Sequence, residues 1–122
     1  MSDPLGLLME RNLLEVFGQR DPKLRKAVIS EIYAEDCIFF EGGEKIVGRD
    51  GLSARVDHLL QGAPGFVFRI AGPPQVNHDH GRLPWQFGPE GAPPVVTGMD
   101  VAVFDRGRIH ALYAFLDKAP ND

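Results

Sequence analysis

The apolar positions of this chain recur first at helical spacing and then, beyond Gly65, at the two-residue spacing of strands. In "SDPLGLLMERNLLEVFGQRD" a Ser/Asp cap and an early proline start a helix, Leu7, Leu8, Leu13, Leu14 and Phe17 fall near one face, and Gly18 ends it. Asp21 and Pro22 repeat the start signal, and Leu24, Val28, Ile29, Ile32 and Tyr33 predict a second helix closed by "AED". "CIFFE", Gly42-Gly43 and "EKIVG" read as strand, turn and strand. "RDGLSARVDHLLQGAPG" then puts Leu52, Val56, Leu59 and Leu60 on one face of a third helix, stopped by Gly62 and Pro64.

The rest is strand-like. "FVFRIA" is broken by "GPP", "HDHG" predicts a turn or a bulged continuation, and the alternation in "RLPWQF" places Leu83, Trp85 and Phe87 on one face. "VVTGMDVAVF" and "RIHALYAFLD" form a long hairpin across the tight turn "DRG". Helices followed by a meander of strands predict an α+β fold, with three N-terminal helices packed on one face of a curved, mainly antiparallel sheet. The last strand is apolar on both faces, with Leu112, Ala114 and Leu116 on one and Tyr113 and Phe115 on the other. A meander usually leaves one face wet, so a second subunit is expected to cover the outer face in a homodimer.

Bulk properties narrow the possibilities. One domain spanning residues 1–122 is expected, since 43% hydrophobic residues suffice for a core and no linker or repeat divides the chain. A net charge of −4 with scattered basic residues argues against a nucleic-acid surface. No apolar stretch is long enough for a membrane span, and the N-terminus carries acids where a secretory signal would be basic. The single cysteine, Cys37, rules out an internal disulfide, and the expected setting is cytoplasmic.

The chemically informative residue is Asp100, a lone acid in the otherwise small and apolar "GMDVAVF". A buried carboxylate is costly unless something compensates it. A pairing with Arg69, Arg82 or His110 would do so, and so would placement in a pocket where the acid is used. Glu41, beside Gly42, reads from its neighbours alone as a cap on that turn. His110 shares strand parity with Leu112, Ala114 and Leu116, which places it near Asp100 as a candidate base. His78, Asp79 and His80 alternate, but nothing nearby completes a ligand set, so a polar hairpin tip is the better reading and no metal is expected.

Three stretches in order, "IYAEDCIFFEGG", "IVGRDGLSARVDHLL" and "GMDVAVFDRGRIHALYAFLD", resemble the nuclear-transport-factor-two-like cone fold, and specifically its SnoaL-like and ketosteroid-isomerase branch. The resemblance implies a cone with a deep apolar internal pocket. It places a general-base carboxylate at Glu41 and a second acid at Asp100. The tyrosine that such isomerases carry on the first helix is Leu13 here, a supporting tyrosine on the third helix is Val56, and Tyr33 is a hydroxyl in the same region. With Leu13, Val56 and Tyr33, the expected lining comprises Phe17, Phe39, Leu60 and Phe68. Trp85, Phe87, Ala102 and Leu116 complete it. The implied function is a small cofactor-independent enzyme acting on an apolar, oxygen-bearing molecule by carboxylate acid/base chemistry, of isomerase, cyclase, dehydratase or epoxide-hydrolase type. The alternative is a non-catalytic dimeric module that binds small ligands or docks proteins.

Overall fold

The computed structural model describes residues 3–118. Asp3 caps the first helix by accepting from the Leu5 amide, and the partner residue Ser2 lies outside the described residues. Helix α1 (Pro4–Arg11) continues into a π-helical stretch, Asn12–Phe17, in which the Gly18 amide donates to the Leu13 carbonyl at 2.9 Å. Met9, Leu13, Val16 and Phe17 are buried, whereas Leu7 and Leu14, expected on the inner face, are nearly half exposed.

Helix α2 (Pro22–Ile32) starts at Asp21, whose carboxylate accepts from the Lys23 and Leu24 amides. It ends one residue earlier than the sequence pattern suggests. Tyr33 is extended and opens strand β1 (Tyr33–Glu41), so "AED" belongs to a strand, and Leu24 faces solvent. Strand β2 (Glu44–Val47) folds back on β1, and Gly48, with φ of 88°, turns the chain into α3 (Arg49–Gln61), a conformation that favours glycine.

Strands β3 (Phe66–Ile70), β4 (Gln75–Asn77), β5 (His80–Pro89), β6 (Val96–Asp105) and β7 (Arg108–Lys118) follow. They assemble in the order β2-β1-β7-β6-β5-β3, with β4 extending the edge beside β5. Among the described residues only the β1–β7 pairing is parallel. The β6–β7 turn carries positive φ at Arg106 and Gly107, as a two-residue primed turn requires. Pro84 sits inside β5 without breaking it because its carbonyl accepts from Ala71 at the gap between β3 and β4, and its nitrogen faces that same gap. The helices cover the inner face of the curved sheet, giving the α+β cone expected from the element order.

Arg25 ties α2 to α3. Its guanidinium is fully buried and donates to the Gln19 carbonyl at 3.0 Å and the Ser53 carbonyl at 3.1 Å, with Asp57 at 2.8 Å. Removing one partner of a buried ion pair typically costs 3–5 kcal/mol, and Asp57 is partly exposed, which lowers the figure. Arg25→Ala should therefore destabilise the fold by about 3 kcal/mol in urea unfolding. A loss below about 1 kcal/mol would show that the clasp is not structural.

Candidate functional site

The site is laid out by strand register. Ala114 of β7 is the register partner of Glu41 on one side and of Asp100 on the other. The two acids therefore stand two strand spacings apart, about 10 Å between backbones, on the same inner face. The small side chain of Ala114 leaves the space between them open.

Asp100 is only 5% exposed. Its one described hydrogen-bond partner is the Trp85 indole, whose Nε1 donates to Oδ1 at 2.9 Å. The pair is a cross-strand diagonal: Leu83 lies opposite Asp100, and Trp85 is two residues further along β5. Gly98, opposite Trp85, makes the contact possible, because a Cβ there would collide with the indole ring. Burial drives the Asp100 carboxyl upward from 3.8 to about 7, the Trp85 hydrogen bond opposes the rise, and the charge of Glu41 adds to it. None of Arg69, Arg82 and His110 pairs with it.

Glu41, at the end of β1, is about one-quarter exposed and accepts from the Arg55 guanidinium through Oε1 at 2.6 Å. Arg55 escaped the sequence reading. It lies one helical turn before the cavity-lining Leu59, and its partner is fourteen residues away in sequence, so no local pattern pairs the two.

Between the acids lies a cavity of about 140 Å³. Of the expected lining, Leu13, Phe17, Phe68, Trp85, Phe87 and Leu116 border it, and Leu59, Val96 and Ala114 join them. The cavity is smaller than the few hundred Å³ common for ligand pockets. Val56 and Leu60 are instead packed in the core, because α3 turns its Leu59 edge to the cavity. Phe39 and Ala102 share the inner face but lie one row deeper, both paired with Leu112 in the filled end of the cone. Phe39 packs against Phe17 with ring centres 5.4 Å apart.

Tyr33 is fully buried and borders no part of the cavity. Its hydroxyl donates to Asn12 Oδ1 at 2.5 Å, and burial, with the nearby Asp100 charge, pushes its pKa well above the ordinary tyrosine value. Asn12 also escaped the sequence reading, although it lies four residues before the buried Val16 on the first helix. Its Nδ2 is buried without a partner among the described residues.

His110 is separated from both acids. A bulge in β7 pairs Val103 with Ala111 but Phe104 with Ile109, so one extra residue intervenes and the parity count from Leu112 fails. His110 lies in a polar groove with Asp36, 3.8 Å away. His78 and His80 each bond a neighbouring side chain, Asn77 and Asp79, at an exposed hairpin tip. Among the described residues, no group of three or more His, Cys, Asp or Glu is placed to hold a metal, and no helix is long and apolar enough to cross a membrane.

The sequence matches the SnoaL-like domain family over residues 11–112, and the chain belongs to that family. No curated protein sequence matches it significantly. A SnoaL-like family protein from Agrobacterium tumefaciens str. C58, provisionally an isomerase, superposes with a TM-score of 0.86 at 24% identity, over 95% of this chain and 100% of that one. A provisional SnoaL-like polyketide cyclase from Jannaschia sp. CCS1 gives 0.76 at 14% identity, over 93% and 85%. A de novo designed protein with a curved β-sheet gives 0.70 at 17% identity, over 96% and 88%. At these identities the likeness is one of fold, and the same fold serves many chemistries.

The Asp100 geometry has a measurable cost. Between 3.8 and about 7 the folded state holds a proton that the unfolded chain has released, so stability falls as pH rises through that window. Asp100→Asn keeps an acceptor for Trp85 and removes the titration. It should stabilise the fold at pH 8, by about 4 kcal/mol at most, with the gain vanishing near pH 4 in paired urea unfolding curves. An Asn variant less stable than the parent at pH 8 would contradict the burial argument.

Proposed function

We propose that this protein is an enzyme that moves a proton on an apolar, oxygen-bearing small molecule without a cofactor. The observation that carries the reading is the pair Glu41 and Asp100 facing one apolar cavity across Ala114 in unlike environments. Asp100, buried and raised to about 7, keeps its proton below pH 7 and in about half of the molecules at neutrality, and donates it, or a hydrogen bond, to the substrate oxygen that gains charge. Its Oδ1 accepts from Trp85, so Oδ2 is the oxygen left for the substrate. Glu41 takes a proton from the carbon beside the carbonyl through Oε2, the oxygen that Arg55 leaves uncommitted, and returns it to another carbon. Asp100 recovers any proton it gave to the oxygen as Glu41 reprotonates carbon, so proton and charge balance over the cycle and the product is an isomer. The isomerase and cyclase descriptions of the two natural structural neighbours support this class of chemistry.

A second reading, ligand binding without turnover, is favoured by one feature. The 2.6 Å ion pair with Arg55 holds one oxygen of Glu41, and the Tyr33 hydroxyl that could assist Asp100 is spent on Asn12. Kinetics separate the two readings. Under the enzymatic reading, Glu41→Gln and Asp100→Asn each lower kcat by 10² to 10⁴, the usual worth of a general acid or base, with circular dichroism unchanged. The parent's activity falls above pH 7 as Asp100 loses its proton. Turnover within about threefold of the parent in both variants would remove the enzymatic reading.

We further propose a cytoplasmic homodimer joined through the outer sheet face. Phe40 and Tyr113 stack there at 4.6 Å, Phe115 is 56% exposed beside them, and Met99 and Val101 are half-buried on the same face. The buried, unpaired Cys37 fits a reducing compartment. Sedimentation velocity should give about twice the 13.5 kDa chain mass for the parent and the chain mass itself for Phe115→Asp. A monomeric parent at 100 μM would exclude the dimer.

A further inference from the structure

We propose that the cavity selects single-ring ketones and enones of about six to eight non-hydrogen atoms and rejects fused polycyclic ones, an assignment that rests on the acid/base reading of the same site. Size comes first. An apolar protein cavity of roughly 150 Å³ holds one benzene, and the space between Glu41 and Asp100 is about 140 Å³. A fused tetracycle has about three times the atoms of one six-membered ring, so most of it would lie beyond the mouth at Leu59, Val96 and Leu116.

Growth of the cavity is resisted by its walls. Phe68 stacks on Phe87 with ring centres 4.2 Å apart and meets Trp85 edge-on at 5.5 Å and Phe17 at 6.2 Å. Displacing any one of these rings disturbs the others. Trp85 is constrained further, held by Asp100 on its polar edge and lying against the backbone of Gly98. The indole therefore cannot swing toward β6 to admit a second ring. On the far side, Phe39 packs on Phe17 and fills the next row.

The distribution of polar groups fixes the ligand's chemistry. Asp100 offers one hydrogen-bonding oxygen at depth, and Glu41 stands at the other end of the row with the apolar Ala114 between them. One carbonyl oxygen on an otherwise apolar ring satisfies Asp100 and brings the adjacent C–H toward Glu41. A second buried polar atom on the ring would find no partner among the aromatic walls.

The test uses the chain's single tryptophan as reporter of its own site. Cyclohex-2-enone, a fused bicyclic enone and a tetracyclic steroid enone are titrated into the intact protein, following Trp85 fluorescence and heat. Cyclohex-2-enone should saturate with a change in Trp85 emission, and its affinity should weaken at least about tenfold from pH 6 to pH 8.5 as the Asp100 donor is lost. The steroid enone should give no saturable change up to its solubility limit. Ala114→Leu, which fills the space between the acids, should abolish enone binding while circular dichroism stays native. Tighter binding of the steroid than of cyclohex-2-enone, with the same Trp85 change, overturns the size assignment, and so does enone affinity unaffected by Ala114→Leu. Binding of cyclohex-2-enone without turnover of any ring ketone supports the size assignment and removes the catalytic reading. Turnover of the steroid at Asp100 does the reverse.

Discussion

A carboxyl group buried against aromatic rings, with one indole N–H as its partner, is the constraint around which this fold is arranged. Burying Asp100 costs free energy that no hydrophobic residue at that position would. The neighbours accommodate it. Gly98 lets the indole come close enough to donate, Trp85 satisfies one oxygen, and Ala114 keeps the ground toward Glu41 clear. The same burial strengthens the hold on its proton, so that about half of the Asp100 carboxyls remain protonated in neutral water.

The rest of the structure keeps that cavity narrow and largely apolar. The π turn at Asn12–Phe17 aims both Leu13 and Phe17 at the sheet. The arginines around it serve mostly as structural clasps. Arg20 donates to the Leu60, Ala63 and Phe66 carbonyls, bracing the connection from α3 to β3, Arg25 joins α2 to α3, and Arg49 reaches the Tyr33 carbonyl at 2.7 Å. Arg55 differs in pairing with an acid that borders the cavity.

Much of the fold was legible because periodicity changes sharply at Gly65 and because capping residues mark the helix starts, Asp21 with Pro22 being the clearest. Asp100 and Glu41 came to one cavity, and their reading as a pair drew on the family resemblance as well as on the oddity of an acid in "GMDVAVF". Leu7 and Leu14 share a face of the first helix, but the buried stripe is Met9, Leu13 and Val16, beside it. His110 failed where the backbone departs from a regular period, because the β7 bulge turns it away from Asp100. The sequence pattern also could not rank depth within one face. Phe39, Val56, Leu60 and Ala102 have core parity like the lining residues but sit a row or a helical turn away from the cavity. Arg55 was invisible for another reason: its partner lies in β1, fourteen residues earlier, and only the folded chain brings the two together.

Difference infrared spectroscopy of the protein with 13C-labelled aspartate side chains tests the central claim most directly. A protonated carboxyl band should be present at pH 6, disappear with a midpoint of about 7, and be missing at every pH above 5 in Asp100→Asn. A parent protein whose aspartates are all ionised by pH 5 would contradict the account.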